Sequence, residues 1–455
     1  MSNVLVINPT NIPFSPEFFR IEPIDMLNIA SYIQKAGHTV KIIDMDADHL
    51  QPEDLLSSEI EAYDFALFIY DYHIPLHTDK SFDALMQSAA ILKKMKMTVA
   101  VCGKIATFRP ELFIHENSPV DVALKYDAED TVLEILKKGI DEAVDSIAFL
   151  KDKKCTETKR REKFDVNKLP VPDYGLVDLS KYIDVRTILS SRGCSNKCAF
   201  CHVPNFWGNW RGRDAQKVVA EIENLVLNYK AQKIMFLDDN AMVSKKRMEE
   251  ICHLLIEKKL SVRLGCLGSL SFFDEGLYRL MYKAGFRWIH YGAESGSNRL
   301  LKENGKHQTR EEIISVIEKT KALGFRVRSS WIIDLPGSTL EEIKQTIDTI
   351  KHLQTHEIRI HYLALRLGTK IFDQRKEKEF TQYIHRNCPL PMKDNPNPKI
   401  IEKRVDDMIK GLEHEGYIAL KSLKDYENIP AERVNDANVN VVSLCPLRYG
   451  MGWQA

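Results

Sequence analysis

A chain of 455 residues, 44% of them hydrophobic and 28% charged, has the apolar content to bury a large core and fill two or three domains. Its 64 lysines and arginines are balanced by 64 acidic residues, which excludes the strong net field that draws a protein to nucleic acid or an anionic membrane. The N-terminal MSNVLVINPTNIPF has no basic segment ahead of a long apolar one, and no run approaches the roughly 20 apolar residues that cross a bilayer; a cytoplasmic protein is expected. Nine cysteines, an odd number, point to thiols that serve metal or catalysis rather than to a disulfide framework.

Residues 1–150 alternate strand and helix signals. Val4 to Ile7 is an apolar run ended by Asn8-Pro9, where a strand stops. Pro23 to Ala36 carries Met26, Leu27, Ile29, Ala30 and Ile33 at helical spacing, closes at Gly37 and yields to a second strand, Thr39 to Ile43. Further strands fit Phe65 to Tyr70, Thr98 to Cys102 and Asp121 to Leu124, with helical patterns at Phe82 to Lys94 and Asp130 to Lys138. This alternation predicts a doubly wound parallel sheet. Residues 151–184 hold Lys153, Lys154, Lys159 to Arg161 and Lys163, then LPVPDYGLVDLSKY, and read as a linker.

From residue 185 to 370 the strand-then-helix pattern resumes, with strands at Arg186 to Ser190, Lys233 to Leu237, Val262 to Leu267, Trp288 to Gly292, Arg326 to Ile333 and Arg359 to Leu363. Val218, Ile222, Leu225 and Val226 form one amphipathic helical face, and Thr309 with Glu312 and Ser338 with Glu341 fit capping boxes. Six such units predict a full or partial (β/α)6 barrel with its chemistry at the carboxyl ends of the strands. Residues 371–455 read as a mostly helical C-terminal region that covers the barrel and contacts substrate. Its tail, CPLRYGMGW, holds Cys445, Tyr449 and Trp453, of which Cys445 and Tyr449 are candidate catalytic side chains, against a docking role for the whole tail.

Cys194, Cys198 and Cys201 follow the strand RTILSS and the turn Arg192-Gly193 with the spacing C-x3-C-x2-C. Three thiolates on one loop wrap one cluster and leave its fourth iron open. A structural zinc site is the alternative, with His202 as the adjacent fourth ligand. Cys102, Cys155, Cys252, Cys266, Cys388 and Cys445 are expected mostly to be buried or idle thiols.

The segment SRGCSNKCAFC resembles the signature of the radical S-adenosylmethionine (SAM) superfamily. The resemblance implies a 4Fe-4S cluster whose open iron chelates SAM, and reductive cleavage of SAM to a 5′-deoxyadenosyl radical that abstracts hydrogen from substrate. An external one-electron reductant of flavodoxin or ferredoxin type is implied with it. By the same resemblance Phe200 lies against the adenine and Glu294, in GAESGS, hydrogen-bonds SAM. Asp238, in FLDDN with Asp239, faces SAM or substrate, or else caps the next helix. Arg328 and Ser330 lead into IIDLPGST, similar to the family's Gly-x-Pro-Gly segment, with Asp334 in place of its first glycine. LRLGTKIFD matches the segment after the last strand at Gly368 and Thr369.

The N-terminal pattern ahead of this motif resembles the cobalamin-binding subclass, in which a doubly wound domain holds cobalamin at the carboxyl ends of its strands, over the barrel mouth. The corresponding loops here are Asn8 to Thr10, Tyr70 to His73, Gly103 to Thr107 and Tyr126 to Asp130, with Tyr70, His73 and Gly103 as candidate cobalamin contacts; KYDAEDT departs from the Gly-Glu pair usual there. No G-x-G-x-x-G follows the first strand, against a nicotinamide site. The implied reaction is methyl transfer to an unactivated carbon of a small-molecule or peptide substrate. Radical dehydration, cyclisation or rearrangement without catalytic cobalamin is the alternative, and a structural metal-binding module is the reading of a different class.

Overall fold

Burial on both faces explains the first strand: Val4 to Ile7 are fully enclosed in β1 (Asn3–Asn8), as a central parallel strand between two helical layers requires. The computed structural model describes residues 1–9, 20–70, 79–363, 366–375, 396–420 and 439–444, which fall into two compact units, one from Met1 to Ile183 and one from Asp184 onward.

In the first unit β1 is followed by α1 (Ile24–Lys35), β2 (Thr39–Asp44), β3 (Phe65–Ile69), α2 (Asp79–Lys94), β4 (Thr98–Cys102), α3 (Lys104–Phe108), β5 (Val122–Leu124) and α4 (Glu129–Lys138). The strands pair in parallel in the order β2-β1-β3-β4-β5. This is the doubly wound arrangement expected from the alternation, with its topological switch between β1 and β3. The residues at helical spacing in α1, Met26 to Ile33, are all buried. Gly37 at φ +92 turns the chain back into β2.

The charged stretch expected as a linker is folded. Two short antiparallel strands, β6 (Ile147–Lys151) and β7 (Lys154–Glu157), continue the sheet beyond β5. The chain then returns across the unit through Phe164, edge-on to Tyr32; the Asp173 amide, which donates to Ser31 Oγ at 2.8 Å; and Tyr182, whose buried hydroxyl donates to Asp44 Oδ2 at 2.8 Å. Its lysines stay exposed while its apolar residues dock, so composition alone conceals the packing.

The second unit opens with β8 (Arg186–Ile188) and β9 (Ser191–Arg192), then α5 (Val203–Phe206), β10 (Arg211–Gly212), α6 (Ala215–Tyr229), β11 (Lys233–Phe236), α7 (Lys245–Lys258), β12 (Arg263–Gly268), α8 (Glu275–Lys283) and β13 (Phe286–Glu294). It continues with α9 (Asn298–Glu303), α10 (Arg310–Ala322), β14 (Arg326–Ile332), α11 (Leu340–Leu353), β15 (Glu357–His361), α12 (Lys370–Arg375), α13 (Pro398–His414), β16 (Ile418–Leu420) and β17 (Val441–Leu444). All six expected strands are present, and the large sheet is parallel throughout, in the order β16-β17-β15-β14-β13-β12-β11-β8. The C-terminal region adds α13 and the two strands β16 and β17 to this sheet. The capping box at Thr309 and Glu312 is formed, but the second lies one residue later than read, at Thr339 and Glu342. Glu342 is buried and also receives Ser297 and Arg299, whereas Glu341 is exposed, so tertiary partners fix the helix start. No helix among the described residues is long and apolar enough to cross a membrane.

Because Tyr182 fastens the returning segment to the end of β2, Tyr182→Phe should cost about 1 kcal/mol and speed proteolytic cleavage between residues 158 and 183. Unchanged cleavage kinetics would mean that the hydroxyl does not hold this segment.

Candidate functional site

The cluster loop rises from the end of β8 and is closed at its base by the antiparallel pair β9 and β10. Gly193, at φ +85, is the point where the two sides meet: a Cβ there would lie 2.8 Å from the Asn209 carbonyl oxygen and 2.9 Å from that of Gly208. Only glycine permits both the backbone conformation and the approach.

FLDDN, at the end of β11, grips this loop in sequence. Asp238 is buried and accepts from the Ser190 amide at 2.6 Å, from Ser190 Oγ, and from Ser191 Oγ at 2.7 Å. Asp239 Oδ2 accepts from the Gly193 amide at 2.9 Å, and Asn240 Nδ2 donates to Cys194 Sγ at 3.8 Å. Three consecutive side chains thus address residues 190–194 in order. Asp238, read from sequence as a SAM or substrate contact or a helix cap, is placed at the entry to the loop. Arg213 and Arg247 back it from below: Arg213 donates to the Leu189 carbonyl at 2.9 Å and pairs with buried Glu221, and Arg247 donates to the Ser190 carbonyl at 2.6 Å.

The three cysteines are half-buried. Burial pushes the Cys198 thiol up to about 11 and Cys201 up to about 12, and each feels its neighbours' charge. Those two thiols therefore hold their protons at neutral pH until the positive charge of bound iron displaces them. Cys194 Sγ also accepts from the Asn196 amide at 3.4 Å. Three thiols on one loop, with amide and carboxamide donors on one sulfur, fit the thiolate side of an iron-sulfur cluster, whose potential such donors tune. Among the described residues, no three His, Cys, Asp or Glu side chains converge as ligands of a single ion. Cys102, Cys252 and Cys266 are buried and Cys155 partly so; Cys388 lies outside the described residues.

The far side of the loop is held by its backbone. The Ala199 amide donates to the Asn304 carbonyl at 2.9 Å, and its carbonyl accepts from Ile371 N at 3.1 Å. Asn205 Nδ2 donates to the Gly368 carbonyl at 2.6 Å, which brings the GTKIFD segment against the loop. Phe200 packs with Ala199 on the cluster of Leu300, Leu335, Leu363 and Ile371.

Glu294 ends β13 at φ +69, in a bulge where Gly292 and Glu294 pair with successive residues of β14. A residue with a side chain seldom adopts this conformation, and such strain gathers at functional sites. Its carboxylate pairs with Lys306 Nζ at 3.4 Å, and Lys306 also donates to the Gly292 carbonyl at 2.7 Å. The sequence reading missed Lys306 and Asn240, both of which lack a motif of their own. Deeper in the sheet, Ser330 Oγ lies 2.6 Å from His290 Nε2. Burial, then Arg328, Arg359 and His361, hold that imidazole well below its ordinary pKa, so it is neutral. Arg328 is buried and donates from Nε to Glu357 Oε2 at 2.5 Å; its guanidinium is engaged along the sheet.

In the first unit Gly103 follows β4 at φ 134 and ψ −173, a region essentially reserved for glycine. Its carbonyl accepts from the Thr107 amide and hydroxyl, and Thr107 Oγ1 accepts from the Tyr126 amide at 2.9 Å. The loops after β4 and β5 are thereby joined at the carboxyl end of the sheet, where doubly wound folds receive ligands. Tyr70 does not present its ring there: it is buried against Phe82 and Phe113. Thr10, His73, Cys445, Tyr449 and Trp453 lie outside the described residues.

Residues 188–350, which lie within the second unit, match the radical SAM superfamily. An uncharacterized methyltransferase of Pyrococcus horikoshii is 28% identical over 363 residues, 77% of this chain and 78% of the relative. Among solved structures, the radical SAM methyltransferase TsrM from Kitasatospora setae superposes with a TM-score of 0.66 at 17% identity, over 82% of this chain and 76% of that one. The cobalamin-dependent SAM radical enzyme OxsB gives 0.68 at 19% identity, over 91% of this chain and 62% of that one. At such identities these structures establish the shared fold.

Two predictions follow from the site. Asp238→Ala strands three buried donors and should cost about 3 kcal/mol or more, with iron retained after reconstitution falling below half of the wild-type value; full iron loading would refute the grip on the loop. Asp334 accepts from Leu363 N at 2.6 Å, and burial raises its carboxyl from 3.8 to about 6. As pH rises the unfolded chain gives up this proton first, so stability falls by about 3 kcal/mol between about pH 4 and 6 and is level above. Asp334→Asn keeps an oxygen for Leu363 and removes the titration. The wild-type minus variant unfolding free energy should therefore fall by that amount across this window, and a flat difference would contradict the burial.

Proposed function

We propose that the chain is a cobalamin-dependent radical SAM methyltransferase that adds a methyl group to an unactivated carbon of a small-molecule or peptide substrate. The observation that carries this reading is the pairing, in one chain, of a radical SAM domain with a doubly wound unit whose β4 and β5 loops are joined at Gly103 and Thr107 at the carboxyl end of the sheet. That TsrM and OxsB share the fold supports it. When bound, cluster and SAM supply the hydrogen-abstracting radical, and cobalamin supplies the methyl group.

The chain's own residues then have distinct tasks. Cys194, Cys198 and Cys201 hold three irons, and Asp238, Asp239 and Asn240 hold the loop that carries them. Glu294 and Ser330 offer polar contacts to SAM, with the neutral His290 orienting the Ser330 hydroxyl. Phe200 offers an aromatic face for the adenine. Gly103 lets the first unit's backbone approach the corrin. Electrons come from an external reductant of flavodoxin or ferredoxin type.

The decisive experiment is anaerobic reconstitution with iron, sulfide and hydroxocobalamin, followed by gel filtration and metal analysis. About four irons and one cobalt per chain are expected, with Ala at any one of Cys194, Cys198 or Cys201 abolishing reductive cleavage of SAM. Turnover with methyl-labelled SAM should then place label in product. Four irons without cobalt would overturn the methyltransferase reading in favour of radical dehydration, cyclisation or rearrangement.

A further inference from the structure

Asn304, Gly305 and Lys306 form a turn between α9 and α10 that touches the cluster loop on one side and β13 on the other. The Asn304 carbonyl accepts from the Ala199 amide at 2.9 Å, while its Nδ2 donates back to the Leu300 carbonyl at 2.9 Å, which fixes the turn to the end of α9. Gly305 has φ +71, and a Cβ on it would lie 2.8 Å from the Lys197 carbonyl oxygen and 3.7 Å from Cys198 Cα. The turn therefore packs backbone to backbone on the stretch between the first two cluster cysteines. Lys306 then reaches the opposite way, to the Gly292 carbonyl and the Glu294 carboxylate, with the side chains of Lys306 and Glu294 only 9% and 13% exposed.

We propose that Lys306 is a positioning residue: it holds Glu294 in its strained conformation and, through the turn, keeps that carboxylate in register with the cluster loop. The inference rests on the reading that Glu294 contacts SAM and that the three cysteines hold the cluster.

Two physical arguments support it. A glutamate at positive φ needs an external hold, and an ion pair in a nearly buried place, beside a hydrogen bond from the same ammonium to the Gly292 carbonyl, provides one. Lys306 supplies two contacts at the same point, and a Cβ on Gly292 would intrude on both the Glu294 carboxylate and the ammonium. Charge balance gives the second argument. The Glu294 carboxylate is nearly out of water, and the Lys306 ammonium 3.4 Å away balances its charge. Without the cation, Glu294 would stand as an unpaired carboxylate in a nearly buried place.

The test compares Lys306→Met, Lys306→Arg and Glu294→Gln in the full chain after anaerobic reconstitution. The readouts are iron content, SAM affinity by equilibrium dialysis, and the electron paramagnetic resonance signal of the reduced cluster with and without SAM. Lys306→Met should keep wild-type iron, bind SAM roughly tenfold or more weakly and lose most of the spectral change on SAM addition. Lys306→Arg should recover most of both, and Glu294→Gln should share the defect. Lys306→Gln, which keeps a donor for Gly292, carries the same expectation as the Met variant should that one not fold. Normal SAM affinity in Lys306→Met alongside weakened Glu294→Gln would overturn the role of Lys306 and leave that of Glu294 standing. Normal affinity in both would overturn the Glu294 reading and this proposal with it. Iron loss in both the Met and the Arg variants would assign Lys306 to the cluster loop itself, and overturn the proposal.

Discussion

The buried carboxylate of Asp238 is the constraint on which the cluster loop depends. A carboxylate removed from water must have its lone pairs filled, and here they are filled by the Ser190 amide and by the hydroxyls of Ser190 and Ser191. Those donors sit where the chain leaves β8, so satisfying Asp238 fixes the angle at which the loop departs. The next two residues extend the grip, Asp239 to Gly193 and Asn240 to Cys194. Side chains at the end of one strand thus take over the pairing of β8 and β11 where their backbones separate. The thiols can be presented on a loop without the loop being loose.

Polarity inside the large sheet follows a related rule. Along β13, β14 and β15, Ile289, Tyr291, Val327, Trp331, Ile358 and Ile360 are all buried and alternate with Trp288, His290, Arg328, Ser330, Glu357 and Arg359. The ladder sets His290 beside Arg328 and Arg328 beside Glu357, so polar residues share one face. An α/β barrel with a purely structural interior fills it with branched apolar side chains. Here the interior rows are polar and hydrogen-bonded, and His290 is kept neutral by burial and by the guanidiniums around it. A neutral imidazole beside Ser330 offers a directed hydrogen bond without adding charge beneath the site.

What could be read from the chain divides along the same physical lines. Hydrophobic periodicity is local, and all six barrel strands and the first unit's alternation were legible from it. The cysteine spacing was legible because Cys194, Cys198 and Cys201 lie within one short loop. Side chains whose role depends on distant partners were not. Asp238 reads as a helix cap or a ligand contact until Ser190 and Ser191 are seen above it, and Glu342 rather than Glu341 closes the α11 cap because Arg299 and Ser297 wait there. The stretch from 151 to 183 carries a linker's charge pattern, yet its few apolar residues, Phe164 and Tyr182 among them, are the ones that dock.

Strain and its support are distributed in a consistent way around the candidate site. Gly193 and Gly305 occupy positive-φ positions on the two sides of the cluster loop, each against a backbone carbonyl that a methyl group would strike. Glycine relieves the strain there because nothing is asked of the side chain. Glu294 takes the same backbone region with a long carboxylate attached, and its conformation is held by a bulge, a lysine and the turn that carries that lysine. Retaining a glutamate where glycine would fit at lower cost is reasonable only if the carboxylate itself is needed at that point. The cost of keeping it explains why Lys306 is drawn out of solvent to meet it.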